Sequence, residues 1–371
     1  RELGCSVTLT ERTAVIDSRE MQAIALCGEA VRKMRSSILF LGAMLGRSGA
    51  GRIAYPGGCA IGKRPIDLHL AAFRRMGVSI AEENEILDCR AERLQGCRID
   101  LPFPSVGATE NIMTAACLAH GQTIIENAAT EPEVTDLADF LCAMGADIHG
   151  AGCETIVING VKKLHSVEYT VIPDRIEAGT FLLAAAASRC RLSLENVICG
   201  HLKPIVAKLN EMGFEINESV CHDSVTDHYK AKYDSIEILP CEKFRAVDIK
   251  TLPYPGFPTD MQAQFMSLMS VADGTGVVVE TVFENRFMQV PELLRMGAKI
   301  KTDGRTAVID GIKKLSGAKV KATDLRAGAA LVIAALAAQG ETEICNIDHI
   351  ERGYENFDKK LSSVGINIQK L

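Results

Sequence analysis

Residues 56–65 read PGGCAIGKRP, which sets Cys59 between glycine turns and puts Lys63 and Arg64 shortly after it. Three chemistries compete for such a loop. Gly57, Gly62 and Lys63 fit the phosphate-cradling pattern GxxxxGK[ST], but Arg64 stands where a hydroxyl must ligate Mg²⁺, so a nucleotide hydrolase is disfavoured. A reactive thiol fits better: nearby cations stabilise a thiolate and attract an anionic substrate. Flanking glycines let the loop open and close over that substrate. An ordinary tight turn holding an inert cysteine is the remaining reading.

A second set of residues stands at helix starts. Arg35-Ser36-Ser37, Ser105-Val106-Gly107, Asp174-Arg175-Ile176-Glu177, Thr259-Asp260 and Thr323-Asp324-Leu325-Arg326 each precede or open an apolar, small-residue run. A helix N-terminus offers unpaired N–H groups and partial positive charge, which suits phosphates and carboxylates. Ser, Thr and Asp there also serve as plain N-caps. Arginine opposes the dipole at that end, so Arg35, Arg175 and Arg326 point to ligand or ion-pair roles.

The elements that must position these residues repeat. A helix end followed by glycine and a β-type run recurs at Gly4, Gly77, Gly145, Gly213, Gly297 and Gly365, separations of 73, 68, 68, 84 and 68 residues. Such a period marks a repeated supersecondary unit, and glycine just past a helix is a C-cap. Each full unit reads strand–helix–strand–helix–strand–strand. Its first helix is apolar all round and expected to be buried, as in LRAGAALVIAALAAQG (325–340); its second is amphipathic, as in PEVTDLADFLCAMG (132–145). Six units divide three and three, predicting an α/β (α+β) protein of two domains, 1–173 and 174–371. The first unit is truncated: Gly4 ends a helix whose own unit should start earlier, and the chain opens RELG without Met.

Bulk properties narrow the class. The 371 residues carry a net charge of −6, which argues against a general nucleic-acid binder, so any anion site must be local. The 13 cysteines are dispersed without a CxxC pair and point to a reducing, cytoplasmic setting. Cys117, Cys142, Cys190 and Cys345 read as small apolar fillers. The eight histidines show no metal-ligand spacing. The longest apolar runs are too short to span a bilayer, and no signal peptide opens the chain.

The segments PGGCAIGKRPIDLH, PSVGATENIM, IENAATEPEV, PDRIEAGTF, FPTDMQAQF, TVFENRFM, ATDLRAGAALV and HIERGYE, in this order, resemble the bacterial UDP-N-acetylglucosamine 1-carboxyvinyltransferases of the enolpyruvate transferase family. The likeness runs over the whole chain and is weakest near 218–240. It implies two domains of three βαβαββ repeats, an inside-out α/β barrel with the active site in the cleft between domains. It implies transfer of the enolpyruvyl group of phosphoenolpyruvate to the 3-hydroxyl of UDP-N-acetylglucosamine, by addition and elimination, without cofactor or metal. The partners so implied are these two small molecules, not nucleic acid or membrane.

The same resemblance implies roles by position. Cys59 matches the reactive cysteine, proton donor and site of a covalent phosphoenolpyruvate adduct. Asp260 matches the carboxylate at the sugar hydroxyl, a candidate general base. Arg64 and Arg352 match groups holding the phosphate of phosphoenolpyruvate; Arg326, with Asp324 beside it, matches a group near its carboxylate, and Arg35 another cleft arginine. The nucleotide sugar falls to Arg64, Pro65, Ile66, Asp67 and Leu68, to Ser105, Val106 and Gly107 at the diphosphate, and to Asp260 and Val282. Glu131, Asp174 and Glu177 match cleft carboxylates, with structural ion pairing open as the other reading. The family's N-terminal Lys-Asn pair precedes the point where the chain opens.

Two other functions stay open on the residues. A sister enzyme on the same fold uses shikimate 3-phosphate, though it lacks the cysteine loop and the RPIDL segment. A relative that binds UDP-N-acetylglucosamine without turnover would share most of the motifs.

Overall fold

A computed structural model of the chain describes residues 1, 3–21, 25–57, 66–221 and 233–371. They form two compact units, and the chain passes from one to the other between Val171 and Ile172.

In the first unit two repeats share one topology. Strands Ala25–Leu26, Ala50–Ala54, Ser79–Glu83 and Ile86–Arg90 form a sheet in the order first, second, fourth, third. Strands Arg98–Asp100, Gln122–Glu126, Asp147–His149 and Thr155–Asn159 repeat that order. In each, a parallel pair is bridged by a helix and followed by an antiparallel hairpin. A parallel crossover needs such a bridge, whereas a hairpin needs only a turn. The hairpin Ser6–Leu9 with Ala14–Asp17 precedes them.

The bridging helices Leu39–Ser48 and Val106–Ala116 cross closely because Gly42 faces Asn111. The Gly42 N–H donates to Asn111 Oδ1 at 2.8 Å, and a Cβ on Gly42 would lie 2.2 Å from that oxygen.

The second unit gives the same order with Ile249–Lys250, Thr275–Val279, Lys299–Asp303 and Thr306–Asp310. The preceding repeat pairs Leu192–Val197, Asp234–Ile238 and Ile216–Ser219 in that order. Three helices, Arg175–Ser188, Thr259–Met269 and Leu325–Leu336, are buried at its centre. They run parallel: Asp260 meets Arg326, further along Ser267 Oγ donates to the Ala330 carbonyl at 2.7 Å, and Gln264 Nε2 donates to Thr180 Oγ1 at 3.4 Å. The Ala- and Gly-rich sequences of Arg175–Ser188 and Leu325–Leu336 permit this approach, since small side chains let the neighbouring helix pack close.

All six repeat glycines have positive φ, from 80° at Gly4 to 110° at Gly213, the left-handed turn that ends a helix cheaply only with glycine. Two sequence expectations need correction, one for a strand and one for the cysteines. The run after Gly365 is not a strand: among the described residues it finds no ladder partner, and an unpaired strand leaves its backbone groups unsatisfied. The described strands form seven sheets, and the βαβαββ α/β class holds. Cys142 and Cys190 are exposed and Cys345 only half-buried, so of the four presumed fillers Cys117 alone is a core residue. Cys142 lies on an outward face of the amphipathic helix Pro132–Ala143, and Cys190 follows the left-handed cap at Arg189. No described helix is long and apolar enough to cross a membrane.

Candidate active site

Candidate residues stand in both units. In the second, Asp260 stands in the first turn of Thr259–Met269, which Pro258 starts. The helix entry is tied down by Glu280, a buried carboxylate. It accepts from Thr259 Oγ1 at 2.9 Å, Thr251 Oγ1 at 2.9 Å, Val282 N–H at 2.8 Å and Phe283 N–H at 3.1 Å. Four donors satisfy its charge, so one side chain fixes both the Asp260 helix and the Val282 turn.

Two guanidinium groups meet Asp260. Arg286 Nη2 donates to Oδ1 at 2.5 Å, and Arg326 Nη2 to Oδ2 at 3.4 Å. Exposure is uneven: 40% for the Asp260 side chain against 5% for Arg286 and 15% for Arg326. Burial alone would raise the Asp260 carboxyl, but the charges of Arg326 and Arg286 outweigh it and hold it well below the usual carboxylate range. Burial opposes the Arg326 charge, yet Asp260 and Tyr354 raise its basicity further. Arg175 adds its positive field to Asp260, and its guanidinium lies 5.5 Å from the Tyr254 ring centre.

The neighbouring acids do cap work. Asp324 accepts from Arg326 N–H at 2.9 Å and Ala327 N–H at 3.0 Å, fixing the helix start on which Arg326 stands. Asp174 does the same for Ile176 N–H at 2.7 Å and Glu177 N–H at 3.1 Å. Glu177 pairs with Lys360 at 2.6 Å. Arg352 is exposed at the end of the short Asp348–Glu351 helix. Val282 has an exposed side chain above its Glu280-bound N–H.

In the first unit the predicted residues gather at three helix starts. Ser105 caps Val106–Ala116 by accepting from Ala108 N–H at 3.4 Å, leaving Val106 and Gly107 half-buried in the first turn. Ile66 is buried just before Asp67–Arg75, with Asp67 exposed and Leu68 half-buried. His69 on that helix is buried, and its Nδ1 lies 2.9 Å from Asn111 Nδ2. An amide nitrogen only donates, so Nδ1 accepts and Nε2 carries the proton. A Cβ on Gly107 would sit 3.6 Å from the His69 ring, so the two helix starts are in contact. Burial, helped by the Arg35 charge and opposed by Asp67, pushes His69 down to about 4. Arg35 is half-buried in a short 3-10 turn, Arg35–Ile38. Glu110 is pushed up to about 7 by burial and by Glu133 and Glu131.

Cys59, Arg64 and Pro65 lie outside the described residues. Arg286, Glu280 and Tyr354 were not singled out from sequence. Arg286 and Tyr354 do lie within two of the family-like segments, TVFENRFM and HIERGYE. Among the described residues no group of three or more His, Cys, Asp or Glu side chains is arranged to hold a metal ion.

The family model for EPSP synthase (3-phosphoshikimate 1-carboxyvinyltransferase) matches residues 1–361. UDP-N-acetylglucosamine 1-carboxyvinyltransferase 2 of Carboxydothermus hydrogenoformans is 53% identical over 371 residues, covering 100% of this chain and 86% of the relative. UDP-N-acetylglucosamine 1-carboxyvinyltransferase of Halothermothrix orenii is 48% identical over 370 residues, with coverage of 100% and 86%. Among solved structures, the enolpyruvyl transferase NikO from Streptomyces tendae is similar with a TM-score of 0.83 at 27% identity, covering 99% of this chain and 85% of that one. EPSP synthase from Acinetobacter baumannii shares the fold, with a TM-score of 0.71 at 19% identity and coverage of 100% and 87%.

Proposed function

Since the chain belongs to the EPSP synthase family, and within it to the UDP-N-acetylglucosamine 1-carboxyvinyltransferases, we propose that it transfers the enolpyruvyl group of phosphoenolpyruvate to the 3-hydroxyl of UDP-N-acetylglucosamine, releasing phosphate. This is the first committed step of peptidoglycan synthesis. One observation carries the choice of acceptor: identity is 53% to a relative named for the nucleotide sugar and 19% to a solved EPSP synthase.

The reaction needs a proton on the methylene carbon of phosphoenolpyruvate while the sugar oxygen attacks the adjacent carbon. The tetrahedral adduct then loses phosphate and a methyl proton, which restores the alkene. In our reading Cys59 gives the first proton and Asp260 receives the hydroxyl proton. Arg64 and Arg352 take the phosphate, Arg326 the carboxylate and Arg35 adds positive charge, because guanidinium forks match both anions. Ile66, Asp67, Leu68, Ser105, Val106, Gly107 and Val282 serve the nucleotide sugar. The reading also explains why Asp260 rests between two arginines. An arriving carboxylate competes for Arg326, weakens its hold and returns basicity to Asp260 when the hydroxyl is in place. We assign the protein to the cytoplasm.

The test is direct. Purified protein with phosphoenolpyruvate and UDP-N-acetylglucosamine should release phosphate and give the enolpyruvyl ether by mass spectrometry. Turnover with shikimate 3-phosphate in place of the nucleotide sugar, or binding of the sugar without phosphate release, would remove this assignment.

A further inference from the structure

Tyr354 is 1% exposed and does not reach the surface of the unit. Its hydroxyl nevertheless touches the machinery: Arg326 Nη1 lies 3.2 Å away and Thr180 Oγ1 3.0 Å away. The direction of each bond follows by counting protons. A guanidinium can only donate, so the phenol oxygen accepts from Arg326. Thr180 sends its own proton to the Ile176 carbonyl at 2.7 Å, so its oxygen must accept the phenol proton. The chain Arg326 to Tyr354 to Thr180 to Ile176 therefore has one sense only.

The ring is equally fixed. It stacks on Phe357 with centroids 4.8 Å apart and 29° between planes, and the Arg326 guanidinium carbon lies 5.8 Å from its centre. Arg326 thus divides its nitrogens, Nη1 to the phenol and Nη2 to Asp260 at 3.4 Å. That single contact is long beside the usual 2.7–2.9 Å of a charge-assisted bond and is not the two-point fork an arginine makes with a carboxylate when nothing restrains it.

We infer that Tyr354 is a positioning residue for the transfer: its hydroxyl keeps Arg326 from closing as a fork on Asp260 and so holds the guanidinium ready for the carboxylate of phosphoenolpyruvate. The inference rests on the function proposed above. It bears first on phosphoenolpyruvate, since Tyr354 touches Arg326 directly and reaches Asp260, the group at the sugar hydroxyl, only through that arginine. A residue that merely fills the core would not separate the two.

Tyr354→Phe keeps the ring and removes the hydroxyl. It should raise KM for phosphoenolpyruvate about tenfold and lower kcat several-fold. KM for UDP-N-acetylglucosamine should stay within about twofold, and Tm should fall by no more than about 4 °C, the cost of one buried hydrogen bond. In an Arg326→Lys background, which lacks the fork, the same substitution should add little to either KM. Unchanged kinetics overturn the inference, as does a joint rise of both KM values with a large loss of Tm. If the unaltered protein makes no enolpyruvyl product, the functional reading falls by itself. A crystal structure of Tyr354→Phe then decides the positioning: Arg326 forked on Asp260 supports it, and Arg326 unmoved overturns it.

Discussion

Arg286 sets its Nη2 2.5 Å from Asp260 Oδ1 while itself nearly closed off from solvent. The cation is therefore the structural partner, and the carboxylate is the group on offer. Asp260→Asn removes both the proton acceptor and the counter-charge of a buried guanidinium. Phosphate release should fall at least about a hundredfold. Stability should fall by about 1 kcal/mol, below the roughly 3–5 kcal/mol of a fully buried pair, because Asp260 itself is partly exposed. A carboxyl depressed by folding contributes above its unfolded pKa, near 4, and loses that contribution as pH drops. The gap between the two proteins in urea denaturation should therefore narrow below about pH 4; a gap that widens there would contradict the pairing.

Glu110 gives the opposite sign. Its folded pKa is raised to about 7 from 4.5 by burial and by Glu133 and Glu131. The protonated form is favoured by the fold, so its contribution is complete below about pH 4.5 and lost as pH rises through 7. Glu110→Gln should raise Tm relative to the unaltered protein at pH 8 and have little effect at pH 5. Equal shifts at both pH values would show that Glu110 stays ionised throughout.

Gly42→Ala tests the helix crossing in the first unit. The added methyl would overlap Asn111, whose amide also holds the Ile38 carbonyl and His69. Overpacking of this kind costs about 1–3 kcal/mol, and the backbone contact here puts it at the upper end. A variant with unchanged Tm would mean that the two helices can separate freely.

Cys59 is tested by the epoxide fosfomycin, which alkylates a reactive thiol. The unaltered protein should lose activity and gain one adduct, mapped by peptide mass to Cys59. Cys59→Asp should keep measurable turnover and resist inactivation. Equally rapid inactivation of that variant would return the loop to the inert-turn reading.

The repeat was legible because its marker is local. A glycine after an apolar helix is needed wherever the chain turns left-handed, and all six positions adopt that turn. The strand expected after Gly365 failed because a strand is not local: it exists only with a partner in register. The cap residues were visible for the same local reason, and Ser105, Asp174 and Asp324 all accept helix N–H bonds. The ion pairs were not. Asp260 and Arg286 are separated by 26 positions and Arg326 and Tyr354 by 28, spacings with no period that a strand or helix could announce. Glu280 was hidden in another way, since a charged residue at a strand end reads as surface until four donors are seen to converge on it.

The three parallel helices of the second unit have one more consequence. Dipoles laid side by side and pointing the same way repel, and their shared positive end also gathers Arg175, Arg286 and Arg326 around one acid, Asp260. An anion arriving there relieves a strain that the unit otherwise carries alone. Ligand at a hundred times its dissociation constant adds about 2.7 kcal/mol to the folded state. Starved protein would then unfold, and be cleared by proteases, sooner than protein at work. The supply of substrate would set how long each molecule survives, as well as how fast it turns over.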